Sequence, residues 1–279
     1  MMAGGGGAQG TEFTLDVPRR APIVERITSA RRRARVLFRI QFAAVWLILI
    51  TLIVVGLYAG GRIEPDWLGR NAPFILGGIG ITILVSIASI VLATFMALIG
   101  ALGRLSTNAI VYAVSSFYVS LVRGTPLLVQ IYIVFFALPQ LGIVLDPIPS
   151  GIVALGFNYG AYMTEIFRAG IQAVPHGQVE AAHAVGMPDR LIFRRIVLPQ
   201  AVRIVIPAVG NEFIAMIKDS SLVSVITVQE LLWRARNVGT RDARSIQAFL
   251  VAALVYWILT IIFSIFQERL ERRLARSDR

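Results

Sequence analysis

Several ionisable side chains stand inside or beside long apolar runs. At that depth each is costly to keep and marks a candidate for function. Glu165 and Arg168 are three residues apart on one helical stretch, close enough to pair with each other. A structural ion pair and a functional one fit that spacing equally. Glu212, Lys218 and Asp219 cluster in GNEFIAMIKDSSLVSVI. The polar run there reads as a break in a short membrane helix, with a second helical piece capped by Asp219, Ser220 or Ser221. Half-helix ends near the bilayer midplane hold zwitterions in a recurring way: N-terminal amides take a carboxylate and acidic side chains take an ammonium. A helix that simply ends at the outer surface fits the same residues. Arg123, Gly124, Thr125 and Pro126 form another candidate. Gly-Thr-Pro opens the backbone there, and a gating or anchoring role suits it better than direct substrate contact.

Other chemistries are excluded or lack the residues. His176 and His183, seven apart, have no further ligands close in sequence and read as surface histidines rather than a metal site. The chain has no cysteine, which removes disulfides, thiolate metal sites and cysteine nucleophiles. Lys218 is the only lysine, and no Gly-Lys-Ser/Thr loop occurs. A phosphate cradle of the P-loop type needs that lysine after a Gly-rich turn, so this chain hydrolyses no ATP that way. It is expected not to be an enzyme, and energy for any transport must come from a partner or an ion gradient.

The elements that position these residues are membrane helices. Of 279 residues, 56% are hydrophobic and only 15% charged, with a mean hydropathy of +0.73. A soluble domain carries closer to a quarter charged residues. The stretches 42–61, 71–103 and 246–266 contain no charge at all. Each is long enough to cross a hydrocarbon core of about 30 Å. The chain is therefore expected to be an all-α polytopic membrane protein. About six spans are read, at roughly 42–59, 74–102, 121–145, 151–169, 201–217 and 246–266. The polar stretch before the third span, STNAIVYAVSSFYVSLVRG, suits the membrane interface, and GRIEPDWLGRN reads as a loop. The net charge of +11 does not point to nucleic acid, because no aromatic-interleaved basic face accompanies it. Arg31, Arg32, Arg33, Arg35 and Arg39 instead flank the first apolar run, as cytoplasmic basic residues do. Eight arginines in the first 40 residues and five from residue 267 onward place both termini in the cytoplasm. The five basic residues between Lys218 and Arg244, on a loop that this topology puts outside, run against the bias.

One polar segment, EAAHAVGMPDRLIFRRIVLPQA at 180–201, interrupts the spans. Gly186 is a natural left-handed stop for a first short helix, and Pro188 suits the first turn of a second. Leu191, Ile192, Ile196 and Leu198 supply an apolar face, while Arg190, Arg194 and Arg195 face water or phosphates. Pro199 is expected to break the chain before the fifth span. Two short helices joined at a glycine would lie across the cytoplasmic mouth of the bundle, either docking into a soluble partner or resting at the interface.

At these residues the chain resembles the permease subunits of ATP-binding cassette importers, whose signature spacing is met by Glu180, Ala181, Ala182, Gly186, Ile196, Leu198 and Pro199. VRGTPLLVQ, GAYMTEIFRAGIQAVPHGQVEAA and GNEFIAMIKDSSLVSVI are similar to the polar amino acid branch of that family. The resemblance covers roughly residues 72–270 and implies a type I ABC importer-like bundle with a five-helix core. The helix at 41–61 is then an added one, preceded by an Arg-rich, partly disordered tail over 1–40 and complemented by a short tail over 271–279. By the same resemblance the loop at 175–199 couples to cytoplasmic ABC ATPase subunits. Those subunits use ATP and Mg, and this chain holds no cofactor itself. A second permease chain and an extracytoplasmic amino-acid-binding protein complete the implied assembly, in the cytoplasmic (inner) membrane of a prokaryote and in contact with its lipid. The alternative is an ion-gradient-driven secondary amino acid transporter or channel, which internal repeats would favour; none is evident.

Overall fold

The computed structural model describes residues 20–59 and 63–275. The chain divides into two compact units, Met1–Ile63 and Glu64–Arg279. The first unit contains one helix, α1 (Arg20–Ala59). Helix therefore begins about twenty residues ahead of the apolar run, within the stretch expected as an Arg-rich tail. The expected disorder of MMAGGGGAQG lies outside the described residues. Side chains such as Leu47 and Ile53 are exposed along α1, as suits a helix that is apolar on every side.

The second unit is a helix bundle, with no strand among the described residues. It comprises α2 (Pro65–Leu76), α3 (Ile79–Arg104), α4 (Ala109–Arg123), α5 (Leu127–Tyr132) and α6 (Pro147–Gln172). Then come α7 (His176–Ala184), α8 (Asp189–Ile192), α9 (Leu198–Asp219), α10 (Leu231–Arg241) and α11 (Ser245–Ala275). Three helical stretches, 33–56, 65–104 and 245–274, are long and apolar enough to cross a membrane by themselves. A fourth follows if α4 and the stretch 127–141, bent by 104° at their junction, form one span. At 26 and 22 residues, α6 and α9 have sufficient length but carry charged side chains.

Close approach of small residues builds the centre. A Cβ on Gly156 would meet the Leu92 side chain, one on Gly160 would meet Met96, and one on Gly100 would meet Thr164, all closer than 3.0 Å. These pairs advance together along both helices, so α3 and α6 run parallel, backbone close to backbone. Small residues at an interface give lipid-embedded helices dense van der Waals contact in the absence of a hydrophobic drive. Between them in sequence, α4 doubles back along α3, where the Ser115 hydroxyl donates to the Gly100 carbonyl at 2.7 Å. Ala93, Ala97, Leu155, Met163, Met216 and Val223 fill the core around this pair. A second core joins Trp67 and Ile75 of α2 to Leu231, Val238, Ala248 and Val255 of α10 and α11.

Several local expectations change. GRIEPDWLGRN is helical from Pro65, because proline in the first turn costs no hydrogen bond and Trp67 buries against α10. The stretch before Arg123 forms α4, which packs along α3 and meets the stretch 127–141 at a bend of 104°. The segment between Lys218 and Arg244 is structured rather than a loop, with a 3-10 turn at Ser220–Ile226 followed by α10. Pro199 does not break the chain. Lacking an N–H, it donates no bond to the turn before it, and a π turn over Phe193–Val197 absorbs the mismatch, with Leu198 N–H donating to Phe193 O. Helix thus runs without interruption from Asp189 through Ile226.

Candidate functional site

Near the mid-height of α6, a cavity of about 490 Å³ opens between the α4–α5 junction, α6 and α9. Arg123, Gly124, Thr125, Pro126 and Leu127 come from the junction, Asn158, Tyr159 and Tyr162 from α6, and Glu212 and Asp219 from α9. Seven residues apart, Glu212 and Asp219 share one face of their helix. The Arg123 guanidinium lies 5.1 Å from the centre of the Tyr162 ring, a cation–π distance. The Tyr159 hydroxyl donates to Asp219 Oδ2 at 2.8 Å, so α6 fixes one of the two carboxylates.

The junction itself is stapled by a residue that sequence reasoning did not single out. The Gln130 amide donates to Val122 O at 2.8 Å, Thr125 O at 3.1 Å and Thr125 Oγ1 at 2.8 Å. Its own carbonyl accepts from Asn158 Nδ2 at 3.2 Å. Backbone groups freed where α4 stops before Pro126 are thereby satisfied inside the protein, as a bilayer requires. Asn158, Tyr159 and Tyr162 were also missed. Their signal was a run of polar groups inside an otherwise apolar span.

Thus the structure brings Arg123, Gly124, Thr125, Pro126, Glu212 and Asp219 to one cavity. Lys218 is exposed, Ser220 is buried with its hydroxyl donating to Ile217 O at 2.8 Å, and neither they nor Ser221 line it. No cap forms at Asp219: α9 tightens into the 3-10 turn, and the carboxylate is turned to Tyr159 instead. The arrangement offers one guanidinium and two carboxylates around a space of about 490 Å³, a set whose charges would suit a polar solute carrying both signs.

The segment at 180–199 forms a second candidate site. Helices α7 and α8 meet at Gly186, whose φ of +77° is left-handed. Gly186 N–H donates to His183 O at 2.9 Å and Met187 N–H to Ala182 O at 3.1 Å, the paired bonds of a Schellman stop. Ala182 and Ile192 are buried, Leu191 and Ile196 half-buried, and Glu180, Ala181, Gly186, Leu198 and Pro199 exposed. Arg190, Arg194 and Arg195 are exposed, as are His176 and His183, the latter 3.5 Å from Asp189. Gln200 Nε2 ties α9 to α7 through Gln178 Oε1 at 2.7 Å.

Two further charged clusters brace the bundle. Glu165 does pair with Arg168, at 2.8 Å, and also accepts from Arg104 of α3 at 3.1 Å. Between Ile226 and α10, Glu230 is fully buried. It accepts from Trp233 N–H at 2.7 Å, caps α10, and is held by the Tyr256 hydroxyl and by Thr82 at 3.4 Å. Burial pushes its carboxyl above the usual range against the pull of those donors.

The fold and these sites define a membrane permease. Residues 89–276 match the family model of the binding-protein-dependent transport system inner membrane component, and the chain belongs to that family. It is 44% identical over 205 residues to the L-cystine transport system permease protein TcyB of Bacillus subtilis (strain 168), covering 73% of this chain and 88% of that one. The arginine transport system permease protein ArtQ of the same organism is 37% identical over 207 residues, covering 74% and 94%. Among solved structures, an amino acid ABC transporter crystallised with histidines superposes with a TM-score of 0.72 at 34% identity, over 76% of this chain and 99% of that one. The inward-facing MetNI methionine ABC transporter shares the fold at 15% identity and a TM-score of 0.57, over 76% and 99%.

Proposed function

We propose that this chain is the membrane subunit of an ATP-driven importer for a polar amino acid. The observation that carries the reading is the cavity at mid-height of α6, where Arg123 stands with Glu212 and Asp219. A guanidinium suits the α-carboxylate of an amino acid, and a carboxylate suits its α-ammonium. The second carboxylate leaves room for a cationic or hydrogen-bonding side chain. The names of the relatives, which carry cystine and arginine, support an amino acid as the solute.

In this reading the α7–α8 segment docks with Glu180, Ala181 and Gly186 against a cytoplasmic ABC ATPase, which consumes Mg-ATP, while the buried Ala182 packs α7 beneath them. The unbroken helix from Asp189 to Ile226 then links the docked segment to Glu212 and Asp219. A rigid connection of that kind transmits a tilt from the ATPase to the cavity and switches its access from one side to the other. A second permease chain completes the path, an extracytoplasmic binding protein delivers the solute, and both termini lie on the cytoplasmic side of a prokaryotic inner membrane.

The test is purification of the tagged chain with its associated subunits in mild detergent, followed by uptake in proteoliposomes supplied with the cognate binding protein. Glu180→Lys is expected to release the ATPase, and Arg123→Gln to keep it while abolishing uptake. An ATPase retained by Glu180→Lys would refute the docking assignment. Uptake surviving Arg123→Gln unchanged would remove the cavity from the path.

A further inference from the structure

On the side of α9 turned away from the charged cavity, α9 and α11 leave a groove of about 390 Å³. Gly210, Phe213 and Ile214 line it from α9. Glu212 and Asp219 stand about half a turn around the helix from Gly210, so the groove is no part of the solute site. From α11 it receives Phe263 and Phe266 at one end and Arg269 and Arg273 at the other. The groove therefore changes character along its length, from aromatic to doubly cationic.

That change falls where the uncharged run of α11 stops, at Phe266, and the two arginines follow within two helical turns, a position at which basic residues suit the level of lipid phosphates. Among the described residues neither arginine is paired with a carboxylate. Glu268 is held by Arg272 on the opposite face of α11 at 3.3 Å, and Glu271 at the edge accepts from Gln267 at 3.1 Å. Gln267 lies flat on Gly210, is nine-tenths buried, and donates to Pro207 O at 2.8 Å. Its Oε1 has no donor, which leaves an acceptor unanswered beside the cationic end.

We infer that this groove binds one anionic phospholipid, with an acyl chain among Phe213, Phe263 and Phe266 and the headgroup between Arg269 and Arg273. An apolar slot closed by two unpaired arginines just past the uncharged run complements a molecule that is itself apolar at one end and anionic at the other.

The test titrates phosphatidylglycerol, and phosphatidylcholine in parallel, into the full-length chain with its associated subunits in a zwitterionic detergent. Bound lipid and subunit count are read together by native mass spectrometry. Arg269→Gln and Arg273→Gln should each weaken phosphatidylglycerol binding about fivefold, the effect of one basic residue at an anionic headgroup. Arg272→Gln removes the same charge from the opposite face and should change binding by less than about twofold. All three arginines are exposed, and an unchanged elution profile checks the fold. Inorganic phosphate should not compete, because it lacks the chain that fills the aromatic end. Equal weakening by Arg272→Gln, or equal binding of the zwitterionic lipid, would overturn the site. So would a cross-link from Phe266→Cys to the same position of a second copy, which would make the groove a contact between chains.

Discussion

The phenol of Tyr159, at the middle of α6, donates a 2.8 Å hydrogen bond to Asp219 at the end of α9. One carboxylate of the cavity is thus aimed by a neighbouring helix rather than by its own. With Tyr159→Phe, Asp219 keeps its charge and loses its alignment. If the cavity is the solute site, the apparent KM for uptake should rise about tenfold, since a hydrogen bond to a charged group contributes roughly 1.5–3 kcal/mol. Asp219→Asn should cost more, and the double variant less than the sum of the two, because both act on one bond. Proteoliposome uptake kinetics on the three variants check the order.

Gln130 holds the bend open at Gly124–Pro126 through three bonds donated by one amide. Gln130→Leu leaves the Thr125 carbonyl and the Asn158 amide without the partners they have here, and Val122 O with only its longer bonds from Thr125. Unsatisfied buried polar groups cost about 1–3 kcal/mol each. A marked fall in the melting temperature is expected in detergent, and Asn158→Leu should do less harm because it breaks a single bond of 3.2 Å.

Two glycines of opposite setting separate packing from helix propensity. At Gly160 a Cβ would stand 2.7 Å from both Met96 and the Tyr118 hydroxyl, so Gly160→Val must part α3 from α6. A loss of at least about 1–3 kcal/mol is expected, seen as poor yield of folded chain. Nothing lies within 4 Å of a Cβ at Gly80. Gly80→Ala should therefore stabilise α3, by about 0.5–1 kcal/mol, in the same melting assay.

Asp242, between α10 and α11, accepts from Arg241 and from the Trp67 indole at 2.8 Å, and these hold its carboxyl at about 2. A carboxyl lowered from its ordinary 3.8 contributes stability that is complete above that ordinary value and vanishes as pH falls through about 2. Wild type should lose more stability across that acid window than Asp242→Asn does, the difference being the share that Asp242 contributes. Equilibrium melting between about pH 5 and about pH 2 reads the difference.

How far the residue order foretold this structure depends on where information is local. Uncharged runs announce α1, α3 and α11 because lipid imposes one length and one composition. Gly186 and Pro188 announce the α7–α8 turn because each has a specific backbone consequence. Arg123, Glu212 and Asp219 were recognisable as charges out of place. That they share a cavity was not, because the meeting depends on the 104° bend after α4. Gln130, Asn158 and Tyr159 escaped notice for a related reason: a neutral polar side chain shows its role only once its partner from another helix is known. Pro199 misled, because a π turn lets a helix pass a proline that would otherwise end it.

The parallel contact of α3 with α6 sets the order in which the molecule can be assembled. Leu92 and Gly156 touch, yet they leave the ribosome about 60 residues apart. Two neighbours pointing the same way cannot fold back on each other as a hairpin. The intervening α4–α5 leg has to cross the bilayer before α6 can arrive in register. The densest interface of the bundle is therefore among the late events of biogenesis, and until it forms α3 must wait in the membrane with its small-residue face uncovered.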